Sequence, residues 1–469
     1  MTERSILTLM DRLLFEQFGD ETWSAWRALL SALFALPMTD AELRVYTTLT
    51  GRAAVPSAQA REVWAICGRR AGKSMIAALI AVFLTTCRTY RLSAGERGVF
   101  MVIAADRRQA RVVRGYIGGL LHSTPVLEQL IARETKSAID LSNNVSIEIA
   151  TASYRTIRGY SVVGAVLDEI AFWPTDDAAE PDHEILAALR PAMATVPDAM
   201  LLCLSSPYAR RGALYDAHRR YYGVDGDVLV IQAPTKALNP TVPQKVIDNA
   251  YAEDEVSARA EYGAEFRSDV EGFVSRDALE AAVVPDRREL PQVPGGRYVA
   301  FLDFAGGSGA DSATLAVAHE EERGGTKVAV LDAVREVRPP FSPEQVCHDL
   351  AVTLRAYGVT RAVADRWAGQ FPVEQMRKHG VTVKPSDKSK SDIYKEFLPL
   401  LNSGSVELLD EPRLHAQITG LERRVARGGR DSIDHAPGGH DDLANAACGA
   451  VVQATVRLPT IRVVPVLWG

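Results

Sequence analysis

Two α/β domains joined by a helical, charged segment are what this sequence predicts, and three observations carry the expectation. Apolar runs of strand length alternate with helical periodicity up to about Asn239; from Pro240 the chain turns helical and charged; and a second series of apolar runs begins at Tyr298, after Pro291, Pro294, Gly295 and Gly296. The first alternation is that of a parallel sheet covered by helices.

Taken in order, the first forty residues hold apolar clusters around Leu13 and from Leu29 to Leu36, interrupted by charged residues, and read as a helical segment over 1–40 without a signal peptide. Buried strands are expected at Val63 to Cys67, Val99 to Ala104, Val145 to Ala150, Val162 to Leu167 and Met200 to Leu204, with a helix from Arg107 to Leu121. Met75 to Cys87 is the longest apolar stretch; it is too short to span a bilayer and reads as a buried helix. These elements make a domain over 41–240, followed by a helical linker region over 241–296. The second series, Tyr298 to Phe304, Ser312 to Ala318, Lys327 to Val334, a helix from Pro343 to Tyr357 and a strand at Ala362 to Ala364, makes a domain over 297–455. A short apolar tail, 456–469, closes the chain and reads either as a docking segment or as an unstructured end.

Composition narrows the class. The chain has 469 residues, 47% hydrophobic and 24% charged, enough for two or three domains with cores of their own. Its five cysteines, Cys67, Cys87, Cys203, Cys347 and Cys448, form no Cys-x-x-Cys pair, which argues against a zinc site or a disulfide framework. A net charge of -6 is not that of a protein that coats nucleic acid, so any such contact must be local or assembled in an oligomer.

The first constellation is suited to phosphate. Gly68-Arg69-Arg70-Ala71-Gly72-Lys73-Ser74 lies between an apolar strand and a helix, where backbone N–H groups can face an anion, Lys73 can neutralise outer phosphates and the Ser74 hydroxyl can ligate magnesium. Cys67 stands where the usual pattern has its first glycine. The companion acids are Asp168 and Glu169, after the strand Val162 to Leu167: one to support the metal, one to polarise an attacking water. The spacing between Lys73 and Asp168 leaves room for an intervening strand, as in ATPases of the additional-strand class. Ser205-Ser206-Pro207 reads as a sensor of the γ-phosphate or as an ordinary strand-ending turn. Arg69 and Arg158 are the arginines that sequence places near phosphate.

The second constellation is acidic. Asp303, Asp311, Asp365, Asp441 and Asp442 fall at strand ends or at a helix start, and hard oxygen ligands of this kind suit Mg²⁺ or Mn²⁺. Two such ions can activate water and stabilise the leaving oxygen of a phosphodiester. Each aspartate alone reads first as a turn or helix-cap residue, and only the set points to metal. The stretch Lys384 to Lys390, with Lys395, reads as a solvated basic loop or as a guide for a phosphate backbone.

In their order these motifs resemble the large terminase subunit of tailed bacteriophages: the loop 68–74 with an arginine after its first residue, Arg158-Gly159, Val166-Leu-Asp-Glu169, Ser205 to Pro207, Asp303 with Asp311, Asp365, and His440-Asp-Asp-Leu443. The resemblance covers roughly residues 40 to 455 and implies an N-terminal ATPase and a C-terminal ribonuclease H-like nuclease. It assigns phosphate and Mg²⁺ binding to Lys73 and Ser74, metal support to Asp168, the catalytic base to Glu169, coupling to Ser205, Ser206 and Pro207, and an arginine finger to Arg69 or Arg158. It assigns the nuclease metals to Asp303, Asp365 and Asp442, with Asp441 as the alternative and Asp311 as a first or supporting ligand. The partners it implies are ATP, double-stranded DNA, a small terminase subunit, a portal protein and a ring of about five copies in the host cytoplasm, with no membrane. The competing enzyme class is a helicase-like repair or defence nuclease, which would carry further helicase motifs.

Overall fold

A computed structural model describes residues 5–151, 159–173, 181–309, 311–366, 370–425, 431–437 and 439–455. The chain divides into two compact units at 271/272, so the Pro/Gly-rich stretch 291–296 lies inside the second. Of the helices in 241–296, Gln244–Glu253 and Glu255–Glu261 belong to the first unit and Arg276–Ala282 to the second, where Leu279 and Ala282 enter the core. Arg158 and the tail 456–469 lie outside the described residues.

The first unit is built on an eight-stranded sheet. Its strands in chain order are β1 (Glu62–Cys67), β2 (Gly98–Ala104), β3 (Ile131–Glu134), β4 (Ala138–Leu141), β5 (Val145–Thr151), β6 (Ser161–Asp168), β7 (Met200–Ser205) and β8 (Val228–Ala233), arranged β3-β4-β5-β2-β6-β7-β1-β8. The run from β5 to β8 is parallel, and β3 and β4 add an antiparallel edge. Parallel strands need cover on both faces, which is why β2 and β7 are buried at every position instead of alternating. The helix Lys73–Cys87 is apolar nearly all round and sits within this core, as such a helix must. The N-terminal helix Ser24–Leu33 joins the same core through Trp26, Leu29, Leu30 and Leu33.

Strand β7 lies between β1 and β6, with Ile66 opposite Ser205 and Leu204 opposite Asp168. The strand between them in space thus comes after both motifs in the sequence, whereas the stretch from Lys73 to Asp168, where room for an intervening strand is expected, supplies β2 to β5 on the other side of β6. Strand β7 lines up three strand ends, those carrying the loop 68–72, Asp168-Glu169 and Ser205-Ser206.

The second unit holds a six-stranded mixed sheet. From one edge to the other it runs Thr382–Pro385, Arg361–Ala364, Tyr298–Asp303, Ala313–Arg323, Thr326–Val337 and Val406–Glu407. The central pairs Tyr298–Asp303 with Ala313–Arg323, and Ala313–Arg323 with Thr326–Val337, are antiparallel; the other pairs are parallel. Side chains alternate between two cores. Phe301 faces the helix Asp442–Thr455 with Leu443, Ala447 and Cys448, whereas Ala300 and Leu302 face Val346, Leu350 and Leu354 of the helix Pro343–Ala356. Gly449 is where the helix Asp442–Thr455 lies tightest on the sheet: a Cβ there would stand 2.4 Å from the Phe301 ring. Among the described residues, no helix is long and apolar enough to cross a membrane.

Candidate nucleotide and metal sites

The loop after β1 has the backbone of an anion cradle. Arg70 (φ 62°) and Gly72 (φ 91°) are both left-handed, and alternation of this kind turns successive N–H groups to one concave side. Gly68 is required by packing: a Cβ would lie 2.3 Å from the Thr235 hydroxyl and 2.8 Å from the Tyr262 carbonyl. Lys73, the first residue of the helix Lys73–Cys87, is buried and donates from Nζ to the carbonyls of Cys67 (3.1 Å) and Gly68 (3.4 Å) and to Ser206 Oγ (3.0 Å). Ser74 follows it in the first helical turn.

The three strand ends meet on Glu169. Its Oε1 is 3.4 Å from Lys73 Nζ, and its Oε2 accepts hydrogen bonds from Ser205 Oγ (3.1 Å) and the Ser206 N–H (3.1 Å). Glu169 has φ 50°, a conformation that costs a non-glycine residue about 1–3 kcal/mol and is retained where surroundings over-determine it. Asp168 is buried, its Oδ1 has no hydrogen-bond partner among the described residues, and burial together with the adjacent Glu169 charge pushes its carboxyl up to about 7 despite Lys73. An orphaned buried carboxylate oxygen beside a lysine and a second acid suits a hydrated Mg²⁺, which takes oxygen donors and keeps waters of its own. Arg69 is exposed and pairs with Glu261 at 3.5 Å. The Cys67 thiol is fully buried and pushed up to about 12, which makes it an inert core group.

In the second unit Asp303 ends its strand, and Asp365 follows the neighbouring parallel strand with its N–H on the Leu302 carbonyl (3.0 Å). Asn445 joins them: its Nδ2 donates to Asp303 Oδ2 (2.7 Å) and to Asp365 Oδ2 (3.0 Å). Asp442, one turn earlier on the same helix, accepts the Ser312 N–H at 2.8 Å, and its carbonyl takes the Thr314 hydroxyl at 2.8 Å. Burial, then repulsion from Asp365, Asp442 and Asp441, push Asp303 up to about 7 against the Asn445 hydrogen bond. Burial also carries Asp442 up to about 6, with Asp311 and Asp441 adding to it. Crowded carboxylates that resist ionisation are groups whose charge a divalent cation would relieve.

Asp441 and Asp442 part company here. Asp441 is buried and bound by Tyr394 Oη (2.8 Å) and Lys390 Nζ (3.1 Å), and Lys390 also reaches Asp434 at 2.7 Å. Burial works against the Lys390 charge, but Asp441 and Asp434 more than offset it and hold the ammonium above its ordinary range. Asp441 therefore has a cation from the protein itself. Asp311 is exposed and stands beside His440 at 3.6 Å; with Asp442 these residues bring ligand atoms within 4.8 Å of one another. The basic stretch near the site is largely engaged: Lys388 pairs with Glu396, and Lys395 donates to the Asp431 carbonyl, while Lys384 lines an open groove with Arg297, Phe301 and Val452.

Sequence reading missed Asn445, Tyr394 and the ion-paired role of Lys390. It also missed three side chains that grip the phosphate loop, Trp26, Thr235 and Asn239. Their only local signal is that Asn445 follows Asp441 by four residues and Asp442 by three, on one side of a helix.

Residues 300–454 match the terminase RNase H-like domain family. Among solved structures, the large terminase of bacteriophage HK97 aligns over 92% of this chain and 99% of its own at 17% identity, with a TM-score of 0.38. The large terminase of a thermophilic bacteriophage, solved in complex with ADP, aligns over 88% of this chain and 98% of its own at 13% identity and a TM-score of 0.38. The large terminase nuclease of the thermophilic phage G20c, solved with magnesium, aligns over 38% of this chain and 95% of its own at 17% identity and a TM-score of 0.32. No curated protein matches the chain. The family match thus falls on residues 300–454, the part of the chain that carries Asp303, Asp311, Asp365, Asp441 and Asp442, and identifies that stretch as similar to terminase RNase H-like domains.

Proposed function

We propose that the chain is a DNA-packaging terminase large subunit: its first unit hydrolyses ATP to move double-stranded DNA into a prohead, and its second cuts concatemeric DNA. The observation that carries this reading is the pairing, in one chain, of a Lys73–Glu169–Ser206 cluster at the end of a parallel sheet with Asp303, Asp365 and Asp442 inside a terminase RNase H-like domain.

In this reading Lys73 and the loop N–H groups bind the phosphates, and Glu169 orients and deprotonates the attacking water. Ser205 and Ser206 hold Glu169 in place, so the segment through Pro207 is the route by which hydrolysis is felt elsewhere in the unit. Asp303, Asp365 and Asp442 would hold the nuclease metal, Mg²⁺ or Mn²⁺, which supplies Lewis acidity toward a phosphodiester when bound. Asn445 fixes the spacing of the first two acids, and Ser312 fixes the third. The arginine finger is assigned to Arg69 or Arg158, acting in cis or on a neighbouring copy; the exposed pair of Arg69 with Glu261 is weak enough to exchange for a phosphate. A small subunit, a portal, a ring of about five copies and the host cytoplasm complete the proposal, by resemblance.

The test is ATPase and plasmid cleavage measured on the parent, Glu169→Gln and Asp303→Ala with Mg²⁺ or Mn²⁺. Loss of ATP turnover only in Glu169→Gln and loss of cleavage only in Asp303→Ala is the expected pattern. Cleavage by Asp303→Ala at the parent rate, or turnover by Glu169→Gln at the parent rate, overturns the corresponding half.

A further inference from the structure

The phosphate loop is gripped from outside, one carbonyl at a time. Thr235 Oγ1 donates to the Arg69 carbonyl (2.8 Å), Asn239 Nδ2 to the Arg70 carbonyl (2.7 Å) and Trp26 Nε1 to the Ala71 carbonyl (2.7 Å). With Lys73 on the carbonyls of Cys67 and Gly68, the five consecutive carbonyls from Cys67 to Ala71 are all taken. The donors come from distant parts of the chain: Trp26 from the helix Ser24–Leu33, Thr235 and Asn239 from the turn after β8.

A peptide unit is planar and trans, so its C=O and the following N–H point in opposite directions. Holding the Arg69, Arg70 and Ala71 carbonyls therefore sets the direction of the N–H groups of Arg70, Ala71 and Gly72, each away from its clamp. Among the described residues, none of the hydrogen bonds engages those three N–H groups, whereas the Gly68 and Arg69 N–H groups are spent on the Ala233 and Glu261 carbonyls. Acceptors are thus consumed and donors left over in the segment where Arg70 and Gly72 are left-handed. The clamps are themselves fixed. Asn239 Oδ1 accepts from Thr241 N (3.1 Å) and Thr241 Oγ1 (2.6 Å), which turns its amide nitrogen to the loop; Thr235 and Trp26 are buried.

We propose that Trp26, Thr235 and Asn239 are positioning residues that preorganise the loop for the di- and triphosphate of a nucleotide. A loop whose N–H groups are already aimed loses less freedom on binding, so the effect belongs to nucleotide affinity.

The inference rests on the nucleotide reading of this loop, and Lys73→Ala separates the two. Fluorescent ADP affinity and the KM and kcat for ATP are measured on the full chain carrying Thr235→Val, Thr235→Ser, Asn239→Asp, Trp26→Phe or Lys73→Ala. Thr235→Val keeps shape while removing the donor; Asn239→Asp does the same but adds a negative charge beside the loop, so its effect counts only together with that of the neutral Thr235→Val, and Asn239 is accessible enough for its variant to fold. We expect each to raise Kd and KM about 5- to 10-fold, as loss of one hydrogen bond allows. The change in kcat is expected to stay below about twofold, on the same preorganisation argument. Thr235→Ser retains the donor and should bind as the parent does. If Lys73→Ala abolishes binding while Thr235→Val and Asn239→Asp bind as the parent, the clamp proposal is wrong. If Lys73→Ala itself binds as the parent, the nucleotide reading fails first. A uniform fall in kcat with Kd unchanged would also overturn the proposal.

Discussion

Gly449→Ala sets two known effects against each other. In a helix interior, alanine is favoured over glycine by about 1 kcal/mol. At this position, however, the new Cβ would stand 2.4, 2.5 and 2.8 Å from three atoms of the Phe301 ring, closer than carbon atoms approach. Phe301 cannot yield: it is 1% exposed and its strand is paired on both sides. The helix Asp442–Thr455 must move instead, and forced overpacking costs about 1–3 kcal/mol. The net expectation is a loss of about 0–2 kcal/mol, read as a fall of up to a few degrees in the melting temperature of the second unit. The same helix carries Asp442 and Asn445, so a displacement approaching about 1 Å would cost on the order of 100-fold in cleavage, with ATP turnover untouched. The assay is thermal unfolding beside Mn²⁺-dependent plasmid cleavage, with Phe301→Leu/Gly449→Ala as the relieved double variant. A rise in melting temperature, or full cleavage by Gly449→Ala, would refute the packing argument.

Three further outcomes follow from the acid clusters. Asp303 is raised from 3.8 to about 7, so between those values the folded state keeps a proton that the unfolded state has lost, and stability falls as pH rises through that window. The full shift is worth ~4 kcal/mol; with water reaching the site, on the order of 1–2 kcal/mol remains. Metal-free Asp303→Asn should therefore melt higher than the parent at pH 8 and no higher near pH 4; a pH-independent difference in melting temperature would exclude this origin. Lys390→Met removes the cation from buried Asp441 and should cost about 1–2 kcal/mol in a pair that is partly solvated, with Lys390→Met/Asp441→Asn regaining most of it; a strictly additive double variant would mean the pair is not coupled. Glu169→Gln keeps an oxygen for Ser205 and the Ser206 N–H but cannot take a proton, so ATP turnover should drop about 100- to 10,000-fold with nucleotide affinity preserved; a matching loss of affinity would point to a binding role.

The nucleotide cluster was legible in the sequence because each of its parts is local. Asp168-Glu169 and Ser205-Ser206 stand at the ends of apolar strands and Lys73 opens the helix one short loop after another, and parallel strands deliver their C-terminal ends to one side. The order of those strands was not readable: the sequence offered room for a strand between Lys73 and Asp168, whereas the one that lies between β1 and β6 comes after both, and periodicity says nothing of which strand lies beside which. Asp441 and Asp442 show the same limit at the scale of one residue. They are neighbours in sequence, yet one turns to Lys390 and Tyr394 and the other to Ser312, and only the packing of the helix decides between them. The clamps were invisible because an asparagine after a short turn and a tryptophan near the N-terminus have no pattern that points to a loop so far away in sequence. The apolar strands of the second unit were equally plain, whereas the bridging by Asn445 depends on a helix crossing two strand ends.

The attachment of Glu169 to Ser205 and Ser206 runs in both directions. A carboxylate held by two donors on the end of β7 cannot relocate without drawing on that strand, and tension on the strand must displace the carboxylate. Linkage makes such influence reciprocal in free energy. Whatever mechanical load reaches the chain beyond Pro207 would thus act as a throttle on the chemistry, with no separate sensor needed to report it.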